Sequence, residues 1–293
     1  MAPLDLQSPD EVCRVFRAAA EANLDASCRR GSCDVIEPPG RLIATGDLHD
    51  NPVHFAKVVR AAGLDEESGG ERAHLTLHEV IHSDRLMGGV DLSHRALARV
   101  AALKVAHPEL VHTLLANHEL SQIVGAGIVK NGVRVVEAFN DGLEYVFGEE
   151  SGRVAEALGA FIRSMALALR CKTPRGDILC AHSLPGPAMM GRFDPSILDR
   201  PLTEDDFAPR QGSAHLMVWG RGYDAEQLED LVERWGVNAF ILGHEHVDAG
   251  AMLVEPNAIV VNSDHERGVY LEIDLARPRS VVSMIADAVP LAG

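Results

Sequence analysis

Five apolar runs of strand length end in groups of acidic, histidine or asparagine residues, and this repetition is the strongest constraint on the fold. Between the runs, apolar residues recur at helical spacing, so strands alternate with helices along most of the chain. Such alternation predicts an α/β fold with mixed sheets, in which the loops beyond the strand ends hold the functional site. The five strand ends read GDLHD, HEVIHSD, NHE, AH and GHEH, at residues 46–50, 78–84, 117–119, 181–182 and 243–246.

Local signals define several of the helices. Ser8, Pro9 and Glu11 form a capping box that predicts a helix ending near residue 26. The segment DAEQLEDLVERWG predicts a helix that begins after an Asp224 cap and ends at Gly236. The second helix carries apolar residues on one face, as expected for a helix that packs on a sheet.

Other segments carry weaker signals. Residues 27–40 are rich in Cys, Gly and Pro and predict a connector, and residues 185–215 predict an irregular loop. Residues 121–172 indicate mostly helix, although the stretch VKNGVRV could instead form a hairpin. Four short apolar runs between residues 251 and 285, the last of them SVVSMI, predict a β-meander.

The charge balance limits the classes of partner. The 293-residue chain carries 27 basic and 43 acidic residues, for a formal net charge of −16. This excess of negative charge argues against a broad electrostatic surface for nucleic acid or anionic lipid. An anionic substrate remains compatible with this charge if a bound cation supplies local positive charge.

The sequence pattern contains neither a membrane-spanning run nor a secretion signal. Its apolar stretches are too short to span a bilayer, and the N-terminal residues lack the basic and apolar regions of a signal peptide. The five cysteines form no close C-x-x-C pair, so we expect free thiols in a reducing compartment, by default the cytoplasm. Cys28 and Cys33, which flank RRGS, leave open a metal-binding or disulfide pair.

The residue types at the strand ends are typical of a metal site. Asp, Asn, Glu and His together suit Mn, Fe or Zn and need no cysteine. Asp47 and His49 lie two residues apart, so both can turn into one pocket at a strand end, and His244 and His246 repeat this spacing. A glycine before Asp47 and another before His244 would let the backbone turn sharply. Each group alone could be a solvated strand end or a helix cap, but the five together predict a metal centre.

The order of these motifs resembles that of the calcineurin-like metallophosphoesterases. The ordered set is GDLHDN, an acid at the end of the next strand, ANHE, CAHSLPG and GHEH, and it spans roughly residues 41–275. The later stretch, with LMVWGRG, GHEHVDAG and AIVVNSDHERGVYLEI, is most similar to the serine/threonine protein phosphatase branch and to the related bis-nucleoside tetraphosphatases. The resemblance implies a sandwich of two mixed β-sheets flanked by helices. This unit would occupy residues 41–285, after an N-terminal helix and connector at residues 1–40, as one domain overall.

The resemblance also implies a binuclear centre with two divalent or trivalent ions (Mn, Fe or Zn). Its ligands would be Asp47, His49 and His246 for one ion, Asn117, His182 and His244 for the other, and Glu79 as a bridge between them. His118 would be the general acid that protonates the leaving oxygen, and a hydroxide held between the metals would attack the phosphorus in line. Histidine suits the acid role because its pKa lies near the working pH.

The stretch HEVIHSD departs from the family pattern Gly-Asp-x-x-Asp-Arg-Gly. Glu79 replaces the bridging aspartate, and this side chain is one methylene longer. His82 stands where an aspartate would orient the catalytic histidine His118. Two histidines do not make a carboxylate–imidazole pair, so Asp84 is the candidate that would take over this catalytic role.

The arginines that bind phosphate in the family also differ. Ser83 stands in place of one of them, and Leu115 stands in place of another, before Asn-His-Glu. Arg221, in the stretch WGRG, is the main candidate for substrate binding and catalysis, and Arg85 and Arg192 are further candidates for substrate binding. Losing two arginine–phosphate contacts should weaken the binding of a phosphomonoester considerably.

These features predict a binuclear metal-dependent phosphoester hydrolase, a phosphatase or phosphodiesterase. A small molecule or a nucleotide is favoured over a phosphoprotein as substrate, because the expected arginines are missing. The alternatives are a serine/threonine protein phosphatase with rearranged arginines and a metal-binding module that has lost catalysis. The sequence does not determine the metal, the substrate or the oligomeric state.

Overall fold

The computed structural model describes residues 4–65 and 69–292. In these ranges two mixed β-sheets enclose an apolar core and helices flank them, so the predicted sandwich is confirmed. The strands in chain order are β1 (Arg29–Arg30), β2 (Cys33–Ile36), β3 (Arg41–Thr45), β4 (His74–Leu77), β5 (Val111–Thr113), β6 (Val129–Lys130), β7 (Val133–Arg134), β8 (Ala168–Cys171), β9 (Asp177–Ala181), β10 (Val237–Leu242), β11 (Ala251–Val254), β12 (Ala258–Val261), β13 (Val269–Asp274) and β14 (Val289–Pro290).

The helices cover the outer faces of the sheets and connect the parallel strands. In chain order they are α1 (Pro9–Asp25), α2 (Pro52–Ala61), α3 (His94–Ala106), α4 (Asn117–Val124), α5 (Val135–Phe147), α6 (Ser151–Ser164), α7 (Ser213–Val218), α8 (Ala225–Trp235) and α9 (Val281–Ala286). Helix α1 packs against α6 and α3. Within residues 4–65 and 69–292, no helix combines the length and apolar character needed to cross a membrane.

Each sheet contains neighbouring parallel strands whose carboxyl ends meet at one edge. The larger sheet has the order β1-β2-β8-β9-β10-β12-β11, and β9, β10 and β12 are parallel. The smaller sheet has the order β14-β13-β3-β4-β5, and β3, β4 and β5 are parallel. Strands β6 and β7 form a separate hairpin. The carboxyl ends of β3, β4, β5, β9 and β10 are the five predicted polar strand ends.

Alternation along β3 shows how the two apolar layers arise. Leu42 and Ala44 belong to the core between the sheets, whereas Ile43 belongs to the core beneath the helices. Successive side chains of a strand point to opposite faces, and a sheet covered on both faces therefore needs apolar residues at every position. The apolar run before Asp47 follows from this double burial.

The predicted helix boundaries are confirmed at α1 and α8, with one change. The Ser8 side chain accepts a hydrogen bond from the Glu11 N–H, but the Glu11 carboxylate accepts from the Asp5 N–H, so the reciprocal half of the capping box is missing. The Asp224 side chain accepts from the Gln227 N–H, and Gly236 ends α8 with φ 61°.

The alternative prediction of a hairpin in the stretch VKNGVRV is correct. Asn131 and Gly132 have φ values of 52° and 80°, which are the positive angles of a two-residue hairpin turn. The prediction of mostly helix for residues 121–172 is confirmed by α4, α5 and α6, except that β8 near the end of this range is a strand that pairs with β2 and β9. The hairpin places Lys130 directly before its turn.

The prediction of a connector at residues 27–40 is wrong, because β1 and β2 lie inside it and β2 pairs in parallel with β8. A buried ion network anchors this segment. Asp34 accepts hydrogen bonds from the Arg29 Nε–H at 2.7 Å and from His112 Nδ1 at 2.8 Å. Burial alone would raise the pKa of Asp34, but the hydrogen bond and charge of His112 and the charge of Arg29 lower it to about 2. Cys28 lies beside this network, and both it and Cys33 are free thiols.

The predicted β-meander is also wrong. Strands β11 and β12 form an antiparallel pair, but β13 pairs with β3 in the other sheet. The run SVVSMI forms α9, because the Ser280 side chain accepts the Ser283 N–H and caps a helix whose Met284 is buried. The predicted loop at residues 185–215 contains short 3₁₀ helices before α7 begins. The division between residues 1–40 and 41–285 stays a prediction.

Candidate metal centre

The five polar strand ends meet where the two sheets come together. Asp47 and His49 follow β3, Glu79 follows β4, Asn117 begins α4 after β5, and His182 and His244 follow β9 and β10. Their side chains gather around a cavity of about 460 Å³, with His182 buried behind it. The residues that line the cavity are Asp47, His49, Glu79, Asp84, Asn117, His118, Ile128, Val129, Lys130, Trp219, Arg221, His244, His246, Asn262, Asp264 and His265.

One compact group of ligand atoms, here called the asparagine cluster, surrounds the His182 Nε2 atom. It consists of His182 Nε2, Asn117 Oδ1, His244 Nδ1 and Glu79 Oε2. The distances from His182 Nε2 to the other three atoms are 2.7 Å, 3.0 Å and 3.1 Å. Ligand atoms bound about 2.1 Å from one ion stand roughly 3 Å apart. The three distances from His182 Nε2 are therefore those expected between atoms that bind one metal ion.

A second group, here called the His49 cluster, lies on the other side of the Glu79 carboxylate. Glu79 Oε1 is 3.3 Å from His49 Nε2 and 3.7 Å from His118 Nε2. These three ligand atoms lie within 4.8 Å of one another. Because Oε2 belongs to the asparagine cluster, the carboxylate of Glu79 lies between the two groups, in the position expected of a bridging ligand.

Backbone hydrogen bonds hold Glu79 in a conformation that is unusual for its residue type. Its φ of 47° lies in the left-handed region, which costs a non-glycine residue about 1–2 kcal/mol. The Glu79 carbonyl accepts the N–H groups of Leu48 and His49, and the buried Glu119 carboxylate accepts those of Val80 and Ile81. The β3 and β4 loops are thus locked together. Such strain is concentrated at functional sites.

Asp47 links the asparagine cluster to the end of β3. Its carboxylate accepts the His244 N–H at 3.0 Å and 3.1 Å, and its Oδ1 lies 3.5 Å from His182 Nδ1. His78 Nδ1 is 3.6 Å from the same oxygen and 3.1 Å from His182 Nδ1. His78 was not predicted as a site residue. Its place next to Glu79 in HEVIHSD was the available signal.

The charges in this buried pocket favour a bound cation. Burial alone would raise the pKa of Glu79, but the surrounding histidines hold it well below its usual range, so the carboxylate is ionised. Burial would lower the pKa of His49, but the hydrogen bond and charge of Glu79 raise it to about 9. The pKa of His182 is also raised, because Glu79 and Asp47 outweigh its burial. In the metal-free protein, protons on His49 and His182 therefore supply the positive charge beside the carboxylates that metal ions would otherwise supply.

The predicted partner of His118 is corrected from Asp84 to His82. His82 Nδ1 is 2.9 Å from His118 Nδ1, and His82 Nε2 is 3.0 Å from Gln122 Oε1. Because an amide oxygen accepts, His82 donates from Nε2 and accepts at Nδ1 from His118. Burial and the neighbouring His118 lower the pKa of His82 to about 3, and burial lowers that of His118 to about 4.

Asp84 points away from His118 because the chain turns at His82, which has φ 60°. The Asp84 side chain is 60% exposed and lies 3.3 Å from Lys130 Nζ. His118 thus presents its unprotonated Nε2 to the Glu79 carboxylate. The acid-orienting role of Asp84 has no support in these contacts.

His246 is a second correction, because the structure does not bring it into either cluster. It lies at the rim of the cavity with its side chain 69% exposed, and its Nε2 is 3.0 Å from Asp248 Oδ1. His244 adopts φ 70°, so the two-residue alternation of a strand does not continue past it. Spacing by two brought Asp47 and His49 to the ligand groups of the cavity, whereas it left His246 at the rim, outside both clusters.

Of the three arginines predicted to bind substrate, one lines the cavity and two do not. Arg221 lines the cavity and donates from Nη1 to the His244 carbonyl at 3.0 Å. Arg85 donates to the carbonyls of His49 and Asp50, and Arg192 donates to the Arg210 carbonyl. Arg85 therefore supports the loop behind the cavity, and Arg192 lies outside the site.

Gly46 and Gly243, which were predicted to allow sharp turns, serve a different purpose. Neither has a positive φ. A Cβ at Gly46 would lie 1.8 Å from the Val261 oxygen, and one at Gly243 would lie 2.4 Å from Asp47 Oδ1. Both glycines are needed for space beside the site.

Two cavity residues were not predicted as site residues from the sequence. Lys130 comes from the β6–β7 hairpin, and its Nζ lies 3.4 Å from His49 Nε2. Trp219 meets the His244 ring edge-on, with centroids 6.2 Å apart. Both residues are far in sequence from the strand ends, and folding alone brings them to the site.

The residues present fit metal ions. Glu79 Oε2 is buried and has no hydrogen-bond partner within the described residues, although it lies 3.1 Å from His182 Nε2. A buried polar atom without a partner is costly and indicates an interaction that the protein atoms do not supply. Imidazole, carboxylate and amide oxygen donors are compatible with Zn, Mn or Fe. The metal-ligand roles themselves stay a prediction.

The different positions of His244 and His246 give a direct test. We expect His244→Ala to weaken metal binding by at least about 10- to 100-fold, the loss seen when even a residue that supports a ligand is removed. We expect His246→Ala to bind the same ions with unchanged affinity, because its side chain lies outside both clusters. Calorimetric titration with Mn²⁺ or Zn²⁺ measures both variants. Equal losses in the two would contradict the placement of His246.

Comparison with known proteins supports the fold. No protein-family model matches the sequence, and the curated proteins contain no match. Among solved structures, a protein serine/threonine phosphatase from Saccharomyces cerevisiae with similarity to human phosphatase PP5 is similar over 91% of this chain and 83% of its own, with 16% identity and a TM-score of 0.63. A cold-active protein-tyrosine phosphatase of Shewanella is similar over 87% and 81%, with 13% identity and a TM-score of 0.59. At these identities the likeness establishes a phosphatase-like fold.

Proposed function

We propose that this protein is a binuclear metal-dependent phosphoester hydrolase of the calcineurin-like type. The observation that carries the proposal is the position of Glu79. Its buried carboxylate has one oxygen in the His49 cluster and the other in the asparagine cluster. A carboxylate with two such groups on its two oxygens is what a two-ion site requires.

Each cluster would hold one ion. Asn117, His182 and His244 would hold the first, and His49 would hold the second together with Asp47, which lines the same cavity. When bound, the two ions would lower the pKa of water and offset the charge of a phosphoryl group. Glu119 and the locked backbone around Glu79 keep the ligand atoms in place before any ion binds.

His118 is the residue that we propose for proton transfer to the leaving oxygen. Its Nε2 faces the site, and its Nδ1 donates to His82 in the chain that ends at Gln122. The free ring is neutral at pH 7, because burial lowers its pKa to about 4. A phosphoryl anion beside Nε2 would raise this pKa, since an opposite charge favours the protonated form. A bound phosphoester would therefore favour the protonated form of His118.

The substrate that we propose is a small phosphoester or a nucleotide. Arg85 and Arg192 donate hydrogen bonds to backbone carbonyls. Few guanidinium groups therefore remain to bind the phosphate of a phosphoprotein. The solved structures of similar fold are named for a serine/threonine and a tyrosine phosphatase, and one fold hosting both shows that the fold does not determine the substrate. The free thiols favour a cytoplasmic location.

A serine/threonine protein phosphatase is the second candidate, favoured by the likeness to the yeast phosphatase structure. A metal-binding module without catalysis is the third, and the neutral His82 in place of a carboxylate favours it. A phosphopeptide and a dinucleoside polyphosphate would separate the first two candidates. Turnover of the phosphopeptide alone would favour the protein phosphatase.

Metal-dependent hydrolysis tests the proposal. The protein is loaded with Mn²⁺, and hydrolysis of p-nitrophenyl phosphate and bis-p-nitrophenyl phosphate is measured before and after chelation. We expect hydrolysis of at least one ester, its loss with a chelator, and its recovery when Mn²⁺ is returned. Asp47→Ala should lose activity, whereas His246→Ala should retain it. If protein with two ions per chain hydrolyses neither ester, the enzymatic function is excluded and the binding module is favoured.

A further inference from the structure

We propose that Lys130, carried by the β6–β7 hairpin, is the phosphate-binding cation of this site and takes the place of the missing arginines. The inference rests on the proposed function, because it assigns the residue that receives the substrate's phosphoryl group. It also predicts that Lys130 contributes more to the binding of a phosphomonoester than to that of a phosphodiester.

The hairpin delivers Lys130 to the cavity. Ile128, Val129 and Lys130 line one wall of it, and the turn at Asn131 and Gly132 follows directly. Val129 is 66% exposed, so the hairpin stands out at the mouth of the cavity. The Lys130 side chain is 27% exposed and extends inward from this position.

The ammonium group lies between the rim and the metal centre. Lys130 Nζ is 3.3 Å from Asp84 Oδ2 at the rim and 3.4 Å from His49 Nε2 inside. His49 Nε2 is the atom that faces Glu79, so an anion beside the His49 cluster lies within reach of Lys130. Asp84 is then the counter-ion that Lys130 exchanges for a phosphoryl oxygen.

The arginines near the site donate to backbone carbonyls. Among the described residues that line the cavity, Lys130 and Arg221 are the lysine and arginine side chains. Arg221 uses Nη1 to bind the His244 carbonyl, and Arg85 uses its Nη1 for the His49 and Asp50 carbonyls. Lys130 is the cation whose partner is an exposed carboxylate, which an incoming anion can replace.

The charge of the cavity explains why a cation is needed there. Asp47, Glu79, Asp84 and Asp264 line it, and the whole chain carries a net charge of −16. These carboxylates repel a dianionic phosphomonoester more strongly than a monoanionic diester. An ammonium group at the same place attracts each substrate in proportion to its negative charge, and therefore attracts the dianionic monoester more strongly. Removing Lys130 should therefore harm the monoester more than the diester.

The experiment compares Lys130→Met with the unmodified protein and with Lys130→Arg. Methionine keeps the apolar stem of the side chain and removes the charge, and Arg192→Met removes a cation outside the cavity as a control. Calorimetry on the Mn²⁺-loaded protein measures the affinity for inorganic phosphate, and a separate titration measures Mn²⁺ binding. Steady-state kinetics with p-nitrophenyl phosphate and bis-p-nitrophenyl phosphate give KM and kcat for each variant.

We expect Lys130→Met to weaken phosphate binding by roughly 10- to 100-fold, the value of a charge-assisted hydrogen bond. Its Mn²⁺ affinity should not fall, Lys130→Arg should restore most of the phosphate affinity, and Arg192→Met should behave like the unmodified protein. The KM for the monoester should rise more than that for the diester. Unchanged phosphate affinity in Lys130→Met would overturn the inference.

The two readouts separate the inference from the proposed function. Phosphate binding that depends on Lys130, without hydrolysis of either ester, would support the inference and exclude the enzymatic function. Hydrolysis with phosphate affinity that is equal in Lys130→Met and unmodified protein would support the function and overturn the inference. A loaded protein that neither binds phosphate nor hydrolyses either ester would overturn both.

Discussion

Replacing Glu79 with alanine is expected to abolish binding of both metal ions and to lower phosphoester hydrolysis by about 10³-fold or more. The reason is that one buried carboxylate serves two groups of ligands, with Oε1 beside His49 and His118 and Oε2 beside His182. Its removal also leaves the raised pKa values of His49 and His182 without their main cause. Metal analysis of the purified variant and hydrolysis of p-nitrophenyl phosphate measure the two effects.

Conservative variants distinguish a bridging role from a structural one. Glu79→Asp keeps the carboxylate and shortens the side chain by one methylene, so it should retain both ions with reduced activity. Glu245→Ala removes another strand-end carboxylate, whose Oε1 accepts the Gly222 N–H outside both clusters, and should keep metal and activity. If Glu79→Ala binds two ions per chain, the bridging assignment is wrong.

Replacing Gly46 with alanine is expected to destabilise the protein by about 3 kcal/mol or more, at the upper end of the cost of overpacking. The added Cβ would lie 1.8 Å from the Val261 oxygen and 2.9 Å from the Asn262 nitrogen. The backbone cannot move aside easily, because the Gly46 N–H donates to Ser263 Oγ and the Ser263 N–H donates to the Asp47 carbonyl. Any shift would also displace Asp47, so metal binding should fall together with stability.

Denaturant unfolding of the metal-free protein measures this free energy of unfolding. Gly152→Ala is the matched control, because nothing lies within 4 Å of its added Cβ and the residue is in helix α6. It should leave stability unchanged or raise it by up to about 1 kcal/mol. A Gly46→Ala variant that unfolds at the same denaturant concentration as Gly152→Ala would show that β3 and β12 can separate without cost.

Features that depend on neighbouring residues were predictable from the sequence. The cap at Ser8 and the stop at Gly236 act through hydrogen bonds and φ angles within a few residues, and both are present. The double burial of β3 follows from its uninterrupted apolar run. The strand prediction for SVVSMI was wrong because its apolar pattern suits a strand or a helix, and the serine cap stabilises the helix.

The sequence predicted which strand ends carry the site, but not the directions of the side chains in the loops that follow them. Asp47, His49, Glu79, Asn117 and His244 line one cavity because parallel strands end at one edge. Beyond the last residue of a strand, side-chain direction depends on the individual φ and ψ of each loop residue. That is why His246 points outward, and why His82 rather than Asp84 contacts His118.

The amino-acid sequence by itself determined the alternation of strands and helices and the residue types at the polar strand ends, and its resemblance to a known family implied the two-sheet sandwich. Only the tertiary structure decided which of those side chains meet, and it added His78 and Lys130, which come from a strand end and a distant hairpin. The physical reason is the range of the interactions. Strand alternation and helix caps act between near neighbours in the chain, whereas a contact such as Lys130 with His49 joins residues 81 positions apart and exists only once the chain is folded.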